Sequence, residues 1–182
     1  MIEFIADSHT YLVDGVIVPS VSTILSATIF KDKYKDVSPH VLAKAAEFGT
    51  GVHLAVETGE WLHLDDKQYQ VYQNYLELVR IENIEPYAHE QIVHYGLEYA
   101  GTFDMEAVIK GLYCLCDVKT TYNLDREYLS WQLSMYELAS GKRFDKLYAI
   151  WLPKRKGAEL VEIERKTEQQ IKELLEVYYE KN

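Results

Sequence analysis

The spacing of apolar and polar positions changes along the chain, and each change marks an element. Residues 2–5, 11–13 and 16–18 are short β-rich runs, the last two flanking an Asp14-Gly15 turn. Ser20 precedes a short apolar run through Leu25, the pattern of a capped helix. Ser38-Pro39 opens a longer helix, to about residue 58, with a capping serine and proline in the first turn. Leu42, Ala46, Gly49, His53 and Val56 share one face of it at three- and four-residue steps. Asp65-Asp66 caps a further helix to about residue 83, with Tyr69, Tyr72, Leu76 and Val79 as its expected core stripe. Pro86 breaks that pattern, and residues 87–95 read as a strand. Residues 99–109 and 112–121 then alternate around Lys110-Gly111. Asp125 caps a helix to about residue 140, closed by Gly141. Residues 147–152 and 160–163 are strands around a 153–157 turn, and residues 167–179 form an amphipathic helix. Helix, three antiparallel strands, helix, strand predicts an α/β fold with a central mixed β-sheet flanked by helices. We read residues 1–182 as a single domain, with 1–37 a hairpin and short helix and 38–182 the core.

The hairpin around Lys110-Gly111 carries the candidate chemistry. A two-residue turn pairs Ile109 with Leu112, and counting outward sets Asp104 opposite Asp117, with Cβ atoms roughly 5 Å apart. Lys119, two residues further on, shares that face. Cys114, Cys116 and Val118 occupy the other face and read as core. Two adjacent carboxylates repel unless a positive group neutralises them, and a hard divalent cation does this well. Spacing alone leaves two readings open, a metal site and a solvated edge hairpin with one salt bridge.

Composition narrows the setting. The 182 residues are 48% hydrophobic, enough for one domain with a real core. No apolar run approaches the ~20 residues of a membrane span, and the first residues lack the basic stretch of a signal peptide, so a cytoplasmic location and no membrane partner are expected. Two cysteines cannot supply a disulfide framework or a four-cysteine iron–sulfur cluster, so no such cluster is expected. The net charge of −10 runs against strong intrinsic DNA binding, which rests on Lys and Arg neutralising phosphates. It favours help from a partner protein or an oligomer.

At these residues the chain resembles the PD-(D/E)xK nuclease superfamily, in its RecB-like and phage-type exonuclease branch. Gly101-x-x-Asp104 followed by Asp117-x-Lys119-Thr120 matches the core pattern. Three further matches stand in the family order: Gly49-x-x-x-His53 upstream, Glu90 before the first Asp, and Gln132-x-x-x-Tyr136 downstream. The opening, with its His-x-Tyr, Asp-Gly and Pro-Ser-Val-Ser, is also similar to phage members. The resemblance covers residues 49–136, roughly half the chain.

It implies a restriction-endonuclease-like core and Mg²⁺- or Mn²⁺-dependent hydrolysis of DNA phosphodiesters, in a phage, recombination or repair setting. The implied metal ligands are Asp104, Asp117, the Val118 carbonyl and His53. Lys119 would orient a water or stabilise developing charge, and Glu90 would contribute through water or a second ion. Gln132 and Tyr136 would face the substrate strand and steady Lys119, with Thr120 and Ser20 as further substrate contacts. Each residue also has a plainer reading: His53 as a packing histidine, Glu90 as an exposed strand residue, Gln132 as a helix flank, and Ser20 as a helix cap. Implied partners are DNA ends, and a second copy or an annealing protein. Two alternatives are a structure- or site-specific endonuclease on the same fold and a catalytically inactive binding module for nucleic acid or protein.

Overall fold

The computed structural model describes residues 1–33 and 35–181, without the side chain of Asp7. Strands β1 (Ile2–Ile5), β2 (Thr10–Val13) and β3 (Val16–Val18) form a small antiparallel sheet. Helices α1 (Val21–Ala27), α2 (Pro39–Thr58) and α3 (Asp66–Glu82) follow. Then come β4 (Ile84–Tyr95), β5 (Tyr99–Ile109), β6 (Leu112–Lys119), α4 (Arg126–Ser140), β7 (Lys146–Trp151), β8 (Glu159–Glu162) and α5 (Glu168–Tyr179). The large sheet has strand order β4-β5-β6-β7-β8, antiparallel except for the β6–β7 pair. Its mixed character follows from the connections. The tight turn between β5 and β6 forces an antiparallel pair, whereas the α4 crossover returns the chain parallel to β6. The fold is thus α/β, a mixed sheet between two helical layers.

Helices α1, α4 and α5 bury Ile24, Leu133 and Leu174 with Leu115 and Leu147 on one face of the sheet. Helices α2 and α3 bury Val52, Ala55, Val71 and Tyr75 with Met105, Cys114, Cys116 and Val118 on the other. The helix starts follow local capping. The Ser20, Ser38, Asp65, Asp125 and Thr167 side chains each accept a backbone N–H of the first turn.

Three expectations shift. On α3 the buried stripe is Val71, Tyr72, Tyr75 and Leu78, so Tyr69 and Leu76 face outward. The helix packs flat on the sheet edge and α2, and that contact selects the stripe. On α2 the buried residues are Phe48, Val52, Ala55 and Val56, while most of the first two turns stand clear of the core. His53 therefore flanks the buried face. Pro86 lies inside β4, an edge strand whose pairing with β5 shifts register between Pro86 and Ala88, the kind of place where a strand accepts proline.

Candidate active site

The site begins with the β5–β6 turn. Lys110 and Gly111 both have positive φ, 52° and 82°, as a two-residue turn requires. Ile109 pairs with Leu112, and the ladder continues to Met105 and Cys116. Asp104 and Asp117 are the next positions outward. There the two strands part, and the Asp104 carboxylate fills the gap: Oδ2 accepts the Val118 N–H at 2.6 Å. A residue in a strand points its N–H and C=O to the same edge, so the Val118 carbonyl also faces this fork.

The regular alternation of β5 reverses at the same point. Phe103 packs on the α4 side and Met105 on the α2 side, although they are two residues apart. Opposite this reversal, Glu90 lies between the rungs His89–Met105 and Gln91–Phe103, with φ of 48°. A glutamate in the left-handed region costs on the order of 1–2 kcal/mol, and strain of this kind clusters at functional sites.

Helix α2 lays His53 over the fork, its Nδ1 3.6 Å from Asp104 Oδ2. One ligand atom each from His53, Glu90 and Asp104 lies within 4.8 Å of the other two. Asp117 is buried on a central strand, and Lys119 Nζ lies 2.5 Å from its Oδ2. The ammonium compensates the charge of that oxygen at hydrogen-bonding distance. The solvated edge hairpin is therefore excluded: β5 and β6 are interior strands, and α4 covers the face of Asp117.

The electrostatics follow from this crowding. Burial pushes the Asp117 carboxyl above its ordinary range, with Asp104 adding to the rise and Lys119 opposing it. Burial also pulls the Lys119 ammonium down, but Asp117 and Asp104 outweigh it and leave its pKa raised, so Lys119 is a cation at neutral pH. Glu90 keeps an exposed side, yet lost hydration and then Asp104, Glu57 and Asp117 push its pKa up to about 7. Glu57, one turn beyond His53, escaped the sequence reading, although its i+4 spacing put it on the same helix face.

A folded-state pKa raised from 4.5 to about 7 makes the Glu90 contribution most favourable below pH 4.5 and loses it as pH rises through 7. The melting-temperature gap between Glu90→Gln and wild type, measured in EDTA, is expected to widen in favour of the variant from pH 5 to pH 8. A gap that stays constant over this range would refute the raised pKa.

The other candidates take defined places. Ser20 caps α1, its hydroxyl accepting Thr23 N–H and bonding Ser22 and Thr23 hydroxyls, beside Ala100 of β5. It serves as the plainer reading has it. Thr120 packs against α2, where a Cβ on Gly49 would lie 3.3 Å from Thr120 Oγ1. Gly49 thus makes room for Thr120 rather than for the imidazole. Gln132 and Tyr136 are buried, and the Gln132 amide donates to the Tyr136 hydroxyl at 3.2 Å. Gln132 and Lys119 both line a cavity of about 390 Å³ at the start of α4. Lys33 reaches that cavity from the segment after α1 and pairs with Asp125 at 2.9 Å.

Gly101 is required where Tyr136 crosses β5, since an added Cβ would meet Tyr136 Cε1 at 2.5 Å. Gly101→Ala is expected to cost about 1–3 kcal/mol by overpacking, read by urea denaturation. In a Tyr136→Leu background the same change should fall to about 0.5 kcal/mol. An unchanged cost there would mean that the clash lies elsewhere.

His53, Glu90 and Asp104 bring an imidazole nitrogen and two carboxylate oxygens around one point, a donor set able to hold a metal ion. No protein-family model matches the chain, and no curated protein sequence matches it. Among solved structures, the crystal structure of SSO0001 aligns with 91% of this chain and 76% of that one, at a TM-score of 0.51 and 18% identity. Among the described residues, no helix is long and apolar enough to cross a membrane. The likeness to SSO0001 concerns the α/β fold alone.

Proposed function

We propose that this protein is a metal-dependent DNA exonuclease of the PD-(D/E)xK type. The reading is carried by the convergence of His53, Glu90 and Asp104 on one point beside the Asp117–Lys119 pair. Asp104, His53 and Glu90 would hold a Mg²⁺ or Mn²⁺ ion, with Asp117 and the Val118 carbonyl at its flank. Such an ion supplies an activated water and neutralises charge on phosphate oxygens. Lys119, held protonated by its two carboxylates, donates to a phosphate oxygen as negative charge builds there. Asp104 keeps the fork open by taking the Val118 N–H, and Asp117 fixes the position of Lys119. Overall, water adds to phosphorus, one P–O ester bond breaks, and the departing oxygen leaves as a hydroxyl bearing a proton. The RecB-like order of the motifs favours attack at chain ends.

The test is loss of end-labelled linear DNA, single- and double-stranded, against a covalently closed circle. We expect linear DNA to disappear with Mg²⁺ or Mn²⁺ but not with EDTA, and the circle to persist. Cutting of the circle would move the protein to an endonuclease. Inertness of every substrate with either metal would leave a binding module.

A further inference from the structure

Strands β6 and β7 run parallel, so both finish at the same end of the sheet. Lys119 pairs with Trp151 there, and Leu152 donates its N–H to the Lys119 carbonyl at 2.7 Å. The Trp151 indole donates to the Thr121 carbonyl at 2.8 Å. The β7–β8 connection, residues 152–158, thus leaves the sheet one rung from Lys119. It reads Leu-Pro-Lys-Arg-Lys-Gly-Ala, with Lys154, Arg155 and Lys156 all exposed and no acid among them.

This run differs from the other cations of the chain. Ten of the 19 lysines and arginines form ion pairs with carboxylates among the described residues. Of the rest, only Lys154, Arg155 and Lys156 are adjacent in sequence. Aromatic rings hold two of them instead. Lys154 Nζ lies 3.7 Å from the centre of the Phe48 ring, and Lys156 Nζ lies 5.4 Å from that of Trp151. A ring face attracts an ammonium without neutralising it. The backbone is tied as well: Leu152 and Pro153 are buried, and the Asn74 amide donates to the Lys156 carbonyl at 3.4 Å. The loop therefore presents positioned positive charge that no carboxylate cancels.

Its place relative to the site is fixed through α2. Phe48, beneath Lys154, immediately precedes Gly49, which packs on Thr120. His53 follows five residues later on the same helix, about 7.5 Å along its axis. Phosphates of a helical strand advance about 3.4 Å per nucleotide, so the loop lies roughly two to three phosphates from the ion site. An arginine fork and two ammonium groups suit phosphate oxygens. A lipid surface would need apolar side chains beside the cations, and the leucine and proline of this loop are turned into the core.

We propose that the 152–158 loop grips the sugar–phosphate backbone of the strand being cut, through Lys154, Arg155 and Lys156. It supplies the main part of the affinity that this acidic chain has for nucleic acid. The proposal rests on the nuclease reading for its partner. The three are positioning residues: they touch phosphates away from the one that reacts, so they act on binding and leave the chemical step alone. Contacts to backbone carry no sequence information, and the grip is indifferent to base sequence.

The test compares wild type with three variants of matched melting temperature. The first is Lys154→Ser/Arg155→Ser/Lys156→Ser. The second, Lys154→Arg/Arg155→Lys/Lys156→Arg, keeps the charge. The third, Arg80→Gln/Lys110→Asn/Lys146→Thr, removes three cations around the opposite end of the sheet, where asparagine suits the positive φ of residue 110. Binding of a labelled single-stranded oligonucleotide of roughly 20 nucleotides is followed by fluorescence anisotropy in EDTA, from about 50 to 200 mM salt. Phosphatidylserine vesicles are run in parallel. KM and kcat are measured on linear DNA with Mg²⁺.

We expect the serine variant to bind at least about tenfold more weakly and to lose about 2 from the slope of log affinity against log salt, as three lost single-strand contacts require. Its KM should rise about tenfold with kcat within about threefold of wild type. The charge-keeping and opposite-end variants should behave as wild type. Hydrolysis with KM and salt slope unchanged in the serine variant would overturn the proposal and leave the nuclease reading standing. Equal weakening in the opposite-end variant would overturn it in favour of overall charge. Loop-dependent binding to vesicles but not to DNA would overturn it in favour of a membrane surface. If no DNA is hydrolysed, the nuclease reading fails: DNA binding lost only in the serine variant would then keep the loop assignment, and absence of binding would overturn it.

Discussion

Asp104→Asn is expected to lower DNA hydrolysis by about a thousandfold or more while leaving the fold nearly unchanged. The carboxylate stands at the centre of the site, 3.6 Å from His53 and with an oxygen within 4.8 Å of one from Glu90. Removing one preorganised charged group of this kind costs on the order of 10²–10³ in rate, and loss of the central oxygen ligand adds weaker ion binding. The amide keeps one oxygen able to accept the Val118 N–H, now met at 2.6 Å by Oδ2. Asp104→Ala removes that acceptor as well and leaves a part-buried N–H unpaired, which adds a stability cost of about 1–3 kcal/mol. Comparing the two variants separates chemistry from folding. Rates on linear DNA should fall alike, whereas urea midpoints should fall only for alanine. Asp104→Asn retaining wild-type rates would remove Asp104 from the chemistry and with it the proposed function.

Lys119→Met should produce the largest loss of stability of any single change at the site, about 3 kcal/mol at pH 8. Asp117 is 3% exposed at its side chain, and its partner ammonium is 24% exposed. Breaking a buried ion pair by removing one partner leaves the other charge uncompensated and costs 3–5 kcal/mol. The partial exposure of Lys119 puts this pair at the lower end. The pH dependence gives the sign. Burial already raises the Asp117 pKa, and loss of Lys119 removes what opposes that rise. A carboxyl with a folded-state pKa above its unfolded value stabilises fully below the unfolded pKa and loses that contribution as pH rises through the folded one. The penalty of Lys119→Met should therefore be small near pH 4 and grow toward pH 8. The double variant Asp117→Asn/Lys119→Met should recover most of it, because no charge is left buried. A penalty independent of pH, or one the second substitution does not relieve, would mean that packing of the lysine stem dominates.

Much of this architecture is legible in the residues because its causes are local. Ser38-Pro39, Asp65, Asp125 and Thr167 begin helices through side chains that bond their own first turns. Lys110-Gly111 sets a two-residue turn, and that turn fixes every rung of the β5–β6 ladder out to Met105 and Cys116. Asp104, Asp117 and Lys119 could thus be brought together on paper. The choice of helix face was less legible. Tyr69 and Leu76 have the composition of core residues, but Val71 and Tyr75 are the ones buried, because the stripe is chosen by the surface a helix meets.

What the sequence determined by itself is the order of elements, their caps and the hairpin register, since dihedral preferences and turn chemistry act over a few neighbouring residues. Only the tertiary structure decided that β6 is an interior strand, which buries Asp117 and makes its charge depend on Lys119. It alone decided that β5 reverses its alternation at Asp104 beside the positive-φ Glu90, and that α2 brings His53 over both. Burial, desolvation and charge coupling are sums over groups distant in the chain, and no stretch of sequence contains them.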